Sequence, residues 1–184
     1  MWKRKSWHEC AEELKEYSDR FVILHWHQER RPWSKPTTRR TDELMNEMQQ
    51  VSIDALELLK SLAANIRTDQ DYGLTDYGGN VGLLKTTNIS ENEHLKYKQE
   101  YRLFKHDDLV KQGHYQNLSL RDGLNKVIHA DPSRSDYYVA PRYKGENAEH
   151  ALLLYSTKGV EWFAVLSLLR LIEVIKELPD KQLD

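Results

Sequence analysis

The chain has a single cysteine, Cys10. One thiol rules out an internal disulfide framework and any zinc site built from several cysteines, so a reducing compartment fits and the cytoplasm is the expected location. An excess of charge is missing as well. Lysine and arginine number 27 against 29 acids, for a net charge of −2. No global basic field exists to draw nucleic acid, and any such contact needs a local patch. The opening Met-Trp-Lys-Arg-Lys has no apolar stretch of the kind a secretory signal requires. The greasiest run, residues 160–178, is broken by Glu161, Arg170 and Glu173, which argues against a membrane span. No glycine-rich phosphate cradle follows a strand, and neither repeats nor low-complexity segments occur. No metal and no cofactor is expected.

What is present is enough for a real core. With 184 residues, 39% of them apolar and 30% charged, a single domain spanning residues 1–184 is the simplest organisation. Trp7, Cys10, Leu14, Tyr17, Phe21 and Leu24 recur at three-or-four spacing and predict an amphipathic helix over residues 6–30. Pro32 and Pro36 follow it. Thr41 is placed to cap a second helix, with Asp42 and Glu43 at its positive end and a stripe of Leu44, Met48, Val51, Ala55, Leu58, Leu62 and Ile66.

Residues 67–90 show no sustained period and read as a loop, and residues 91–112 suit a charged surface helix. A further helix is predicted from Ser119, its cap, with Asp122 in the capping-box position, to the stop at Asp131-Pro132. Two extended segments, 137–141 and 151–155, flank the polar turn 144–147 and predict a β-hairpin, an insertion over residues 137–156. Trp162, Phe163, Val165, Leu166, Leu169, Ile172 and Ile175 then read as a last helix that is apolar almost all round, and so central or covered by a second chain. The expected fold is mainly α: a bundle of about five helices with a small β-hairpin before the C-terminal one.

The helix after Ser119 carries the sharpest chemical signal. Arg121, Asn125 and His129 follow one another at intervals of four, so at about 100° per residue they form one polar stripe. Leu120, Leu124, Val127 and Ile128 cover the neighbouring face. A fixed cation, an amide and an imidazole on one rigid surface suit a phosphodiester. Cleaving RNA through its own 2′-hydroxyl needs a base, an acid and charge stabilisation at phosphorus. His129 can transfer the protons, the Arg121 fork can hold phosphate oxygens, and Asn125 can orient phosphate or ribose. A single histidine hardly performs both transfers, so a homodimer is expected to supply a second. Asp122, Lys126, Arg142 and Lys158 are candidate substrate-binding residues around the stripe.

The string Leu120-Arg-Asp-Gly-Leu-Asn-Lys-Val-Ile-His129-Ala resembles the signature helix of the HEPN superfamily, small helical bundles with an arginine, a polar neighbour and a histidine further on. The resemblance covers about residues 118 to 178. Arg121 and His129 lie further apart than is usual in the family, and Asn125 stands between them to share the arginine's role. The resemblance implies a metal-independent endoribonuclease of toxin or anti-phage defence type, acting on RNA as a homodimer and held by an antitoxin or another defence-system protein. Other members of that superfamily are binding modules without catalysis, so a non-catalytic module for protein–protein association is the alternative. A third expectation is a nucleotide-binding domain in which Arg121 holds a phosphate.

Lesser signals point to ordinary surface or core. His106, Asp107 and Asp108, with His94, lack the further ligands a metal phosphohydrolase needs. His25 and His27 would diverge by roughly 200° on a helix. Tyr137, Tyr138, Tyr143 and Tyr155 suit a core edge better than base stacking, and polar residues at four-residue spacing occur on any solvated helix face.

Overall fold

The computed structural model describes residues 5–29, 39–72, 79–86, 115–131, 136–140, 149–156 and 162–181. The first helix, α1, spans Trp7–Glu29 and buries the periodic set from Trp7 to Leu24, with Tyr17 partly covered. It starts with a reciprocal cap. The Ser6 backbone N–H donates to Glu9 Oε2 at 2.8 Å, and the Glu9 N–H donates to Ser6 Oγ at 3.1 Å. Two more first-turn donors are satisfied from the far end of the chain, Trp7 N–H by Lys181 O at 2.7 Å and His8 N–H by Asp180 Oδ1 at 3.0 Å. His8 Nε2 also donates to Leu178 O at 2.9 Å.

The second helix, α2, runs from Arg39 to Asp71. It begins two residues before the expected cap, so Thr41 sits inside its first turn. Val51, Ala55, Leu62 and Ile66 are buried as their spacing requires, with Leu44, Met48 and Leu58 partly covered.

The expected loop over 67–90 is corrected in two stretches, while residues 73–78 and 87–90 lie outside the described residues. Residues 67–71 continue α2, and Asn80–Thr86 form a strand, β1. That strand was hidden because it is short and carries Gly82 in its middle. The glycine belongs there: a Cβ would lie 2.0 Å from the Val165 carbonyl oxygen, beside a shift of register between Asn80 and Gly82.

Strand β2, Gln116–Ser119, leads directly into α3, Leu120–His129. Ser119 is the cap, as expected: its Oγ accepts from the Asp122 N–H at 3.1 Å and donates to Asp122 Oδ2 at 2.8 Å. Asp122 thus answers the cap through the hydroxyl. Gly79, at φ 129°, takes a backbone conformation open to glycine, and its carbonyl accepts from Leu120 N–H at 3.0 Å.

The expected hairpin is real. β3, Asp136–Ala140, pairs antiparallel with β4, Glu149–Ser156. It is not an isolated insertion, because both strands belong to a five-stranded antiparallel sheet ordered β2-β1-β5-β4-β3. The central strand, β5, is Trp162–Ser167, which overturns the long apolar final helix. Among the described residues of that run, Leu168–Glu177 alone is helical, forming α4. Trp162, Ala164 and Leu166 of β5, with Leu152 and Leu154 of β4, share one core with residues of all four described helices. The alternate residues Phe163, Val165, Leu153 and Tyr155 are buried as well. A strand covered on both faces reads as a continuous apolar run, and a helix does so equally well. Ser167 ends the strand and caps α4, its Oγ accepting from the Arg170 N–H at 3.3 Å. Glu173 and Glu177 of α4 are exposed, so the helix proper has a polar face.

The fold is mostly helical, with four helices among the described residues rather than five. The expected helix over 91–112 lies outside them. None of the described helices is long and apolar enough to cross a membrane.

Candidate functional site

α3 rests on the sheet at Gly123. A Cβ there would stand 2.6 Å from Val81 Cγ2 and 3.2 Å from Leu166 Cδ1, so the missing side chain lets helix and sheet approach closely. Leu120, Leu124 and Val127 are fully buried. Ile128, expected on that apolar face, is instead 41% exposed.

The polar stripe of α3 turns towards the end of α2. Arg121 Nη2 donates to Asp71 Oδ1 at 2.7 Å. One turn on, Asn125 Oδ1 accepts from Arg67 Nε at 2.7 Å. Arg67 also reaches Asp71 through Nη2, at 3.2 Å from Oδ1. A step of four forward on α3 is therefore a step of four back on α2. His129 is exposed.

The structure thus brings Arg121 and Asn125 into one network but leaves His129 out of it. Eight residues along a helix separate the Arg121 and His129 backbones by about 12 Å. The guanidinium leans towards Asp71, so within this chain the two groups do not converge. Arg67, at 15% side-chain exposure, is the more enclosed cation, and Arg121, at 44%, is open to solvent. Beside them Gln70 is buried, and its amide Nε2 has no hydrogen-bond partner.

Of the expected substrate-binding residues, Asp122 is engaged in the helix cap. Lys126 lies with its Nζ 4.4 Å from the centroid of the Trp162 ring. Burial lowers the pKa of this ammonium group, while the ring face favours its charge. Arg142 and Lys158 lie outside the described residues, as do His94, His106 and Asp107-Asp108. His25 and His27 fall on α1, the first partly buried and the second exposed. Among the described residues no group of three or more His, Cys, Asp or Glu could hold a metal. Cys10 is fully buried and burial pushes its thiol up, the environment of an inert cysteine. Tyr155 is buried, as its preferred reading has it, while the side chains of Tyr137 and Tyr138 and all of Tyr143 lie outside the described residues.

Several residues of the site were missed in the sequence. Arg67, Asp71 and Tyr72 fell in the segment read as loop. His150 gave no signal, as a lone polar residue before an apolar run. It is wholly buried, stacked on Phe21 with ring centroids 3.9 Å apart and planes at 4°. Its Nε2 pairs with Ser52 Oγ at 3.0 Å, and Nδ1 has no partner. Burial pulls its pKa down to about 3, so the ring is neutral.

No protein-family model, curated protein or solved structure matches the chain.

Proposed function

We propose that this chain is a non-catalytic helical module acting by protein–protein association. The observation that carries this reading is the seam between α2 and α3. Asp71 and Arg67 engage two of the three residues a phosphodiesterase site would need, and His129 stands outside that network. Ile23 and Trp26, three residues apart on α1, stay 56% and 42% exposed, although large apolar side chains are normally covered. They form a small apolar surface of the kind a partner covers. The partner is a second copy or another protein, such as an antitoxin or defence-system component.

Light scattering after size exclusion, with capture by the tagged full chain, tests this. Self-association or partner capture that is lost in Ile23→Asp/Trp26→Glu supports the module. A strict monomer that captures nothing overturns it.

A second reading, the HEPN-like metal-independent endoribonuclease of a toxin or defence system, draws support from the exposure of both Arg121 and His129 on one short helix. In it Arg121 leaves Asp71 to take the phosphate, and a homodimer brings a second His129. RNA cleavage in EDTA that disappears with His129→Ala would establish this reading. Equal activity in both proteins, or none in the wild type, would exclude it.

A further inference from the structure

We propose that Lys126 of α3 is a modification site, a nucleophilic amine that takes an acyl group from a small activated donor, an acyl thioester or an acyl phosphate. This goes beyond the association reading and does not depend on it. Lys126 lies about 100° round the helix from Asn125 and takes no part in the bonds that tie α3 to α2.

The first observation is what Lys126 lacks. The side chains of Lys5, Lys15, Lys60, Lys176 and Lys181 are also described, and every one of them holds an aspartate or glutamate within salt-bridge distance. Among the described residues no carboxylate pairs with Lys126. An acid four residues N-terminal to a lysine is a favourable partner on a helix, and Asp122 stands at that position. Its carboxylate is committed elsewhere. Asp122 Oδ2 accepts from Ser119 Oγ at 2.8 Å, and the Asp122 N–H donates to the same hydroxyl at 3.1 Å. The helix cap therefore withdraws the acid that would have held the ammonium protons.

The second observation is where the amine lies instead. Nζ stands 4.4 Å from the centroid of the Trp162 ring, and that residue, at the start of β5, is itself buried. The ring face attracts a cation but carries no net charge. Lys126 is half-buried, so the amine has lost part of its water without being sealed from solvent. Lost hydration disfavours the charged form. Burial accordingly pulls the pKa of Lys126 down, and the field of Asp122 opposes this to a smaller extent. Lys5 and Lys15, bonded to acids, are raised. A larger fraction of Lys126 than of Lys5 or Lys15 is therefore free amine at neutral pH, and the free amine is the nucleophile.

The step is acyl transfer. The ammonium gives one proton to solvent, and the Nζ lone pair forms a bond to the acyl carbonyl carbon. The carbon–sulfur bond of a thioester, or the carbon–oxygen bond of an acyl phosphate, breaks with its electron pair on the leaving thiolate or phosphate. The nitrogen releases a second proton to water and becomes a neutral amide. The product carries no charge for burial to oppose, so a half-buried position suits it better than it suits the ammonium. Acylation removes one positive charge from α3 together with the cation–π contact to Trp162.

Peptide mass spectrometry of the folded full chain tests this, after brief exposure to acetyl-coenzyme A in one arm and acetyl phosphate in the other. Lys126 should be acetylated first, several-fold faster than Lys5, Lys15, Lys60, Lys176 or Lys181. The preference should vanish in the urea-unfolded chain, where every lysine is solvated alike. His129→Glu, at an exposed position three residues on, offers Lys126 the carboxylate it lacks and should slow its acetylation while the other lysines keep their rates. Reaction with one donor alone assigns the site to that class of donor, and reaction with both assigns it to activated acyl groups in general. Acetylation of Lys126 no faster than of the ion-paired lysines, a preference that persists in urea, an unchanged rate in His129→Glu, or no reaction with either donor would each overturn the proposal.

Discussion

Asp71 and Arg121, fifty residues apart in sequence, stand 2.7 Å from each other, and that pairing decides how α3 can be used. The same carboxylate holds Arg67, whose Nε fixes Asn125. Two of the three polar residues on that stripe of α3 are thus tied to α2, and His129 is left exposed.

The two arginines should contribute unequally to stability. Arg121 and Asp71 are both about half exposed, so their coupling in a double-mutant cycle should stay below about 1 kcal/mol. Arg67 is mostly enclosed and makes a charge-assisted bond to Asn125, so Arg67→Ala should lose about 2 kcal/mol. Urea denaturation of the single and double variants measures both. A larger loss from Arg121→Ala than from Arg67→Ala would contradict the roles assigned here.

Acid should weaken the fold through His150. Its pKa is about 3 when folded, against an ordinary value of 6.5, so the unfolded chain binds the proton first. The stability this provides is complete above pH 6.5 and is lost progressively below it, on the order of 2 kcal/mol by pH 5. His150→Phe removes the titrating group and keeps an aromatic ring against Phe21. Denaturation midpoints of the two proteins between pH 7.5 and pH 5 should diverge, the wild type falling more steeply. Parallel curves would show that His150 does not supply the dependence.

Gly123→Ala should destabilise the protein even though alanine is the better helix former. The propensity gain is about 1 kcal/mol. The new methyl would meet Val81 Cγ2 at 2.6 Å and Leu166 Cδ1 at 3.2 Å, and overpacking of this sort costs about 1–3 kcal/mol. A net loss in thermal melting is the expected result, and a raised Tm would mean that α3 is free to shift off the sheet.

Ser119→Ala should cost about 1 kcal/mol by leaving the Asp122 N–H without its acceptor. Ser119→Asp should restore most of it, because a carboxylate there accepts the same bond at the positive end of the helix. The neighbouring Asp122 carboxylate limits the recovery. Melting temperatures of the three proteins report the order directly.

Local patterns were legible where local physics decides. The spacing from Trp7 to Leu24 and from Leu44 to Ile66 made two helices readable, because a helix must put its apolar residues on one stripe. Ser119 and Asp122 marked the start of α3 because the first helical N–H groups need an acceptor. Tyr137 and Ala151 lay in two runs that could be joined as a hairpin around a polar turn. The Ser6 and Glu9 cap is equally local. Trp162 to Leu166 failed for a different reason. Burial on both faces erases the alternation that distinguishes a strand, and only a place in the middle of a sheet explains it.

The sequence alone determined which faces of α1, α2 and α3 had to be covered, since periodicity and caps act within a few residues. Tertiary structure alone decided what covers them and what the polar groups do. It set β5 between β1 and β4, enclosed His150 against Phe21 and Ser52, and brought Asp71 and Arg67 to Arg121 and Asn125. Those partners come from distant parts of the chain, and nothing in the spacing along a single helix encodes which charge will arrive opposite.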